Sequence, residues 1–285
     1  MVPLPSGPWQ INPLGITYIL LDFLILLRTF STSFDKELSI FHLNQIEMKN
    51  KNSIWIYPLL IMCALFLATS SCKKSSSTTP DTNTITDVDG NLYHYVVIGT
   101  QTWMVENLKT TKYNDGTAIP LETDDTAWAN LTTPGYCWYN NDAATNKNTY
   151  GALYNWFTVN TSKLAPPGWH VPTDTEWTTL IAYLGGETVA GGKMKDTGTI
   201  SAGTGLWDSP NIGATNQSGF SAVPAGYRDY DGNFKRIGMN GAWWSSSEYG
   251  TGIYAWPRYL LYDYSDFYRD YRSKNVGFSV RCVRN

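Results

Sequence analysis

The sequence predicts an α+β fold, and three observations carry that expectation. One helix is marked at both ends, between Thr173 and Gly186. Many short segments alternate aromatic or apolar residues with polar ones, the two-residue period of strands. Turn signals (Asp-Gly-Asn, Pro-Gly, Gly-Gly) recur between them. Charged residues make up 16% of the 285-residue chain and aromatic residues 14%, with a net charge of −3. After Cys72 the balance is 17 Lys and Arg against 20 Asp and Glu, with no basic block. A nucleic-acid partner would need such a block as its electrostatic footprint, so that class is excluded.

The chain opens with material that reads as targeting. Met48 to Cys72 has a basic start at Lys49 and Lys51 and an apolar run from Ile54 to Ala68, followed by small residues leading to Cys72. This resembles a bacterial lipoprotein signal over 48–72, with Cys72 as the lipidated residue and the membrane as its partner. Thr69 stands where such signals prefer leucine; the alternative is an ordinary cleaved signal or a signal anchor. Residues 1–47 precede this signal, and the expectation is an upstream over-extension or a disordered leader, with Met48 the true start. Their own apolar run, Ile16 to Leu27, is interrupted by Asp22 and falls short of the ~20 residues that span a bilayer. Residues 73–84 are rich in Ser, Thr and Pro and poor in apolar side chains, which predicts a flexible tether. The expected location is extracytoplasmic, on the outer membrane or cell surface.

The globular domain is expected over 85–285. Asp87 to Gly99 and Asp229 to Gly238 each place Asp-Gly-Asn before an aromatic and apolar run, a turn leading into a strand. Asp-x-Asp-Gly also begins a calcium loop, but the later ligands of that loop are missing. Trp103 to Leu108 and Gly135 to Asp142 read as strands. Tyr150 to Val159 reads as a short helix with Leu153, Trp156 and Phe157 on one face. At Pro166–Gly186 a rigid turn precedes Thr173, which stands three residues before Glu176 in capping-box spacing. Trp177, Leu180, Ile181 and Leu184 then form one helical stripe, and Gly185 and Gly186 end it. From Gly185 to Gly219 a long loop is expected, anchored by Met194, Leu206 and Trp207. The later strands are expected at 220–227, 242–246, 258–264 and 276–283, the last with Phe278, Val280 and Cys282 facing inward.

The blocks IGTQTWMVENLKT, GYCWYNND, YGALYNW, PPGWHVPTDTEW, GFSAVPAGYRDYDGNF, WWSSSEY and GFSVRCVR run in this order through the domain. Together they resemble the Fibrobacter succinogenes major paralogous domain, over roughly 85–285. The resemblance implies a fold similar to C-type lectin-like domains and to the formylglycine-generating (sulfatase-modifying) group. It also implies a bacterial surface or secreted lipoprotein, with no reaction attached. Ala165 stands where such domains often have cysteine. Cys137 and Cys282 therefore either pair, closing a loop of about 145 residues worth up to ~5 kcal/mol in the chain-entropy model, or stand as two buried free thiols.

The residues point to no particular catalysis. His94 and His170 are the histidines of the domain, and His170 beside Trp169 reads as a hydrogen-bonded structural residue. There is no CxxC, HExxH, GxSxG or phosphate loop, so the expectation is no metal, no cofactor and no catalytic set. The positive expectation is a binding or structural module whose ligand is a glycan or a cell-envelope protein. The alternative is a carbohydrate-active or protein-modifying enzyme of the extracytoplasmic space. Aromatic faces beside Asn, Asp or Glu suit sugars, and two clusters have that mixture. One is Trp138, Tyr139, Asn141 and Asp142; the other is Trp243 with Glu248. A third region alternates aromatic with charged residues from Tyr262 to Arg272, and from it Tyr264 and Tyr268 are the candidate contacts. The competing reading is that most of the twelve tryptophans fill the core.

Overall fold

A computed structural model describes residues 83–250 and 252–285. The signal, Cys72 and nearly all of the expected tether lie outside the described residues. The α+β expectation holds: among the described residues there are five α-helices and several antiparallel sheets.

The first sheet joins the two ends of the domain. Strands β1 (Thr84–Thr86), β2 (Leu92–Ile98) and β3 (Gln101–Met104) form a meander. The final strand, β13 (Val283–Arg284), pairs with β3 on one side and with β6 (Trp169–His170) on the other. The turn before β2 is closed by the buried Asp87 carboxylate, which accepts from the amides of Asp89 and Asn91 and from the Tyr93 hydroxyl at 2.6 Å. Its oxygens are committed to turn donors, as the hairpin reading requires.

The second sheet is built on the long strands β9 (Asn240–Tyr249) and β10 (Tyr254–Leu261). On its other edge β10 pairs with β11 (Tyr268–Arg269) and β12 (Arg272–Ser273). Because side chains alternate along a strand, β9 feeds two cores. Trp244 and Ala242 belong to one cluster, with Tyr154, Trp156 and Phe278. Trp243 and Leu260 belong to a second, with Trp103, Trp177 and Phe220. Two-stranded pairs β4 (Tyr136–Cys137) with β5 (Leu153–Tyr154), and β7 (Tyr227–Arg228) with β8 (Phe234–Lys235), complete the strands.

Helix α4 (Asp174–Tyr183) follows the expected design. The Thr173 hydroxyl accepts from the Glu176 amide at 3.2 Å, and Glu176 accepts from the Thr173 amide at 2.8 Å. Trp177, Leu180, Ile181 and Leu184 are buried. Gly185 and Gly186 take φ of +104° and +97°, where a side chain would be strained. Asp174 in the first turn holds Arg258 of β10 at 2.9 Å and Arg269 of β11 at 2.8 Å, which ties the helix to the second sheet.

Glu176 also predicts an acid response. Burial opposes its ionisation, but hydrogen bonds from the Thr173 amide and hydroxyl and from His170 outweigh that and lower its pKa below the ordinary 4.5. A carboxyl whose pKa is lowered by folding stabilises the fold above its unfolded value and loses that contribution as pH falls through the folded one. The melting temperature should therefore be flat above about pH 5 and decline below it. Glu176→Gln should lower the plateau and shallow the decline. A decline of unchanged steepness in the variant would assign acid sensitivity to other carboxylates.

Several expectations are corrected. The segment after Gly185 is not all loop, because Glu187–Met194 forms helix α5. Its Gly191 and Gly192 depress helix propensity, but a Cβ there would lie 2.4 Å from the Asp266 and Gly213 carbonyl oxygens respectively. Backbone approach selects glycine at both positions, and packing overrides propensity. Met194 and Trp207 are buried anchors, as expected. Tyr150–Val159 is not one helix but β5 followed by the single turn α3 (Trp156–Val159). Two helices with little apolar periodicity were not anticipated: α1 (Asp125–Ala129) and α2 (Ala143–Tyr150). Both are N-capped by aspartate, Asp124 and Asp142. Of the strand expected at 276–283, only Val283 is in a strand. Phe278, Ser279 and Gly277 instead make single bridges to Tyr154, Trp243 and Arg228. Both faces there are buried, since Ser279 and Arg281 are as inaccessible as Val280 and Cys282.

Candidate ligand-binding site

The two faces of the β9–β10 sheet have different fates. Trp243 and Leu260 face the α4 side and are sealed in core. On the opposite face, the cross-strand pairs Leu261–Asn240 and Tyr259–Ala242 floor a pocket of about 230 Å³. Tyr227 from β7 and Phe278 form an aromatic wall, their ring centroids 5.7 Å apart. Pro257 closes one end, and Arg236 and Arg272 contribute the two cationic groups. Asn240 is only 7% exposed, and its side-chain Oδ1 is buried without a donor.

Each polar group has a structural reason to be where it is. Arg236 follows β8 at φ +62°, a left-handed conformation unusual for a long side chain. Among the described residues it has no ion-pair partner. Arg272, at the edge strand β12, pairs with Asp270 at 2.6 Å and is half exposed. Tyr259 stacks on Tyr268 with centroids 5.1 Å apart and planes 18° apart. Burial, and then the nearby Asp270, raise the pKa of Tyr259, so its phenol stays protonated and can donate.

On the α4 side of the sheet, the face opposite the pocket, lies a separate aromatic patch. Tyr249 and Tyr271 stack at 4.5 Å and 8°, and Trp256 meets Tyr249 edge-on at 4.7 Å. The Arg269 guanidinium lies 3.4 Å from the Trp256 ring centroid, a cation–π contact. Tyr249, Tyr254 and Tyr271 are exposed.

The expected site residues divide accordingly. Trp138, Tyr139 and Trp243 are buried core residues and offer no ring face to a ligand. The Trp243 indole is further held by Asn107 at 2.8 Å. Asn141 is exposed but its amide donates to the Thr123 carbonyl, and Asp142 caps α2 by accepting from Thr145. That cluster is framework, because aromatic rings flanked by Asn and Asp also describe a buried strand end running into a capped helix. Glu248 is exposed and ion-paired with Lys274. Tyr264 is exposed and meets Tyr268 edge-on at 6.0 Å, and Tyr268 backs the pocket residue Tyr259. The Tyr262–Arg272 region is thus adjacent to the pocket, while Phe267 is core. Arg236, Asn240 and Tyr227 were not among the sequence candidates. Only the fold brings them together.

The remaining candidate chemistry is accounted for locally. His170 has both ring nitrogens engaged, with Asn285 at 2.6 Å and Glu176 at 2.8 Å. Cys137 and Cys282 are free and buried in separate clusters, so of the two alternatives the structure has the thiols. Burial pushes the Cys137 thiol up to about 12 and raises that of Cys282 further, which keeps both protonated and unreactive. Among the described residues no group of three His, Cys, Asp or Glu side chains is placed to hold a metal ion.

Comparison with curated proteins and with solved structures gives no match. Among protein families, the model described as the Fibrobacter succinogenes major domain matches residues 96–284, a span from β2 to the last strand. With well over half of its length matched, from within β2 to the last strand, the chain belongs to the Fibrobacter succinogenes major domain family.

Proposed function

We propose that this protein is a surface-tethered binding module, anchored by a lipid on Cys72, with a C-type-lectin-like domain that holds a glycan and does not turn it over. The observation that carries the reading is the pocket on the β9–β10 sheet. It combines tyrosine and phenylalanine rings with Arg236, which has no ion-pair partner among the described residues, and an undonated Asn240 oxygen. Ring faces pack against the CH faces of sugars, and charged or amide groups meet hydroxyls. The residues lining this pocket include no carboxylate, imidazole or thiol to serve as acid, base or nucleophile.

The test uses the full chain, purified in detergent, on a glycan array and in a parallel turnover assay. Binding without turnover is expected, and Tyr259→Ala should weaken it by about tenfold, 1.4 kcal/mol, with the fold retained. Cleavage or modification of any glycan would overturn the non-catalytic reading. Silence on the array would point instead to a protein of the cell envelope.

A further inference from the structure

We propose that the pocket on the β9–β10 sheet is specific for an acidic sugar, with Arg236 receiving the carboxylate; this rests on the glycan-binding reading above. Three independent observations converge on that chemistry. Among the described residues Arg236 is the cation of the pocket without a counter-charge, and a guanidinium presents a planar donor fork that matches a carboxylate. Its backbone is held at φ +62°. A conformation of that kind is strained for a long side chain and persists where surrounding structure over-determines it, commonly at ligand sites. Asn240 supplies the second observation. Its Oδ1 is buried and lacks a donor, although buried polar atoms are nearly always paired. Asn240 lines the cavity, and a rotation turning its amide oxygen toward that space would let a ligand hydroxyl provide the donor.

The third observation is the shape and sign of the rest of the cavity. About 230 Å³ falls below the ~300–1,000 Å³ of sites for drug-sized ligands, so it accepts a single ring. Tyr227, Tyr259 and Phe278 offer apolar faces to that ring, and Arg272 adds a second positive charge partly balanced by Asp270. No lining side chain is acidic. A ring bearing one carboxylate and several hydroxyls satisfies all of these groups at once. A neutral hexose leaves Arg236 without a counter-ion, and an inorganic anion leaves Asn240 and the aromatic wall unused.

The probes are galacturonate and glucuronate against galactose and glucose, titrated into the full-length protein in detergent by calorimetry. The uronates should bind at least tenfold more tightly than their neutral counterparts. Arg236→Gln should abolish that preference with the melting temperature retained, the affinity for uronate falling at least tenfold more than that for neutral sugar. Asn240→Asp, which adds a negative charge to the cavity that holds the carboxylate, should weaken uronate more than galactose. Arg272→Gln, at an exposed edge, provides a variant that keeps the fold and should reduce the preference by a smaller factor. Equal affinity for acidic and neutral sugars, with Tyr259→Ala weakening both, would overturn the acid specificity and leave the glycan-binding module intact. Binding of a peptide C-terminal carboxylate in an Arg236-dependent manner, with no sugar bound, would overturn both readings in favour of a protein ligand. Uronate binding unaffected by Arg236→Gln would place the acid site elsewhere and overturn the proposal.

Discussion

Trp177→Ala should lower the stability of the domain by about 3–5 kcal/mol, the range for truncating a large buried aromatic. Trp177 is fully buried on α4 and touches four other rings. Their centroids lie 4.6 Å away for Trp103, 5.7 Å for Phe267, 5.9 Å for Phe220 and 6.4 Å for Trp243. These belong to β3, the segment before β11, the loop before β7, and β9, so the indole joins both sheets through one side chain. Its removal leaves a cavity whose walls sit on different elements and cannot collapse together. The indole N–H has no acceptor, so Trp177→Phe should cost much less than Trp177→Ala. Urea denaturation of the three proteins checks this. Near-equal losses for Phe and Ala would show that retained ring volume does not carry the stabilisation and would overturn this account. Binding should fall only when the fold does, because Trp243 and the pocket residues Asn240 and Ala242 lie on opposite faces of β9.

Arg281→Met should be comparably costly for a different reason. The Arg281 side chain is buried between the end of the chain and the loop before β7. Its Nε donates to Asn107 Oδ1 at 2.9 Å, and its terminal nitrogens donate to the Phe220 carbonyl and, at 2.8 Å, to the Ser221 carbonyl. The guanidinium also lies 4.1 Å from the Phe220 ring centroid. Methionine fills much of the volume but donates nothing. Asn107 keeps the Trp243 indole as a donor, whereas the two carbonyls lose their donor from Arg281. Each orphaned buried acceptor costs roughly 1–3 kcal/mol, so a loss of about 2–6 kcal/mol is expected. Arg281→Lys restores the charge but not the fork, and should recover only part of it. A methionine variant as stable as the parent would mean that water reaches those carbonyls.

Helix α4 was legible because its determinants are neighbours in sequence. Thr173 and Glu176 cap each other, Trp177 to Leu184 repeat at the helical period, and two glycines stop the chain. The Asp-Gly-Asn turns were legible for the same reason, since Asp87 spends its carboxylate on amides two and four residues away. Helices α1, α2 and α5 were not. Two have little apolar periodicity, and α5 carries a Gly-Gly pair whose necessity appears only when the Asp266 and Gly213 carbonyls approach. The strand expectation at 276–283 located the inward residues correctly and missed that the opposite face is buried too. Alternation marks a half-buried strand, and a segment lying between two cores has no solvent side.

The candidate site divides along the same line. Aromatic and polar residues close in sequence, from Trp138 to Asp142, satisfy the composition of a sugar site and turn out to be core and cap. Residues far apart, Tyr227, Arg236, Asn240 and Tyr259, make the pocket. Local sequence order therefore carried the family resemblance, the α+β class and helix α4 with its capping box. Which aromatic rings face solvent, whether two cysteines meet, and which arginine lacks a partner depend on strand register and chain crossings. Pairing β9 with β10 sends Trp243 to the interior and Asn240 to the pocket, three residues apart on one strand. A one-residue shift in that register would exchange their faces, and no local signal in the chain specifies it.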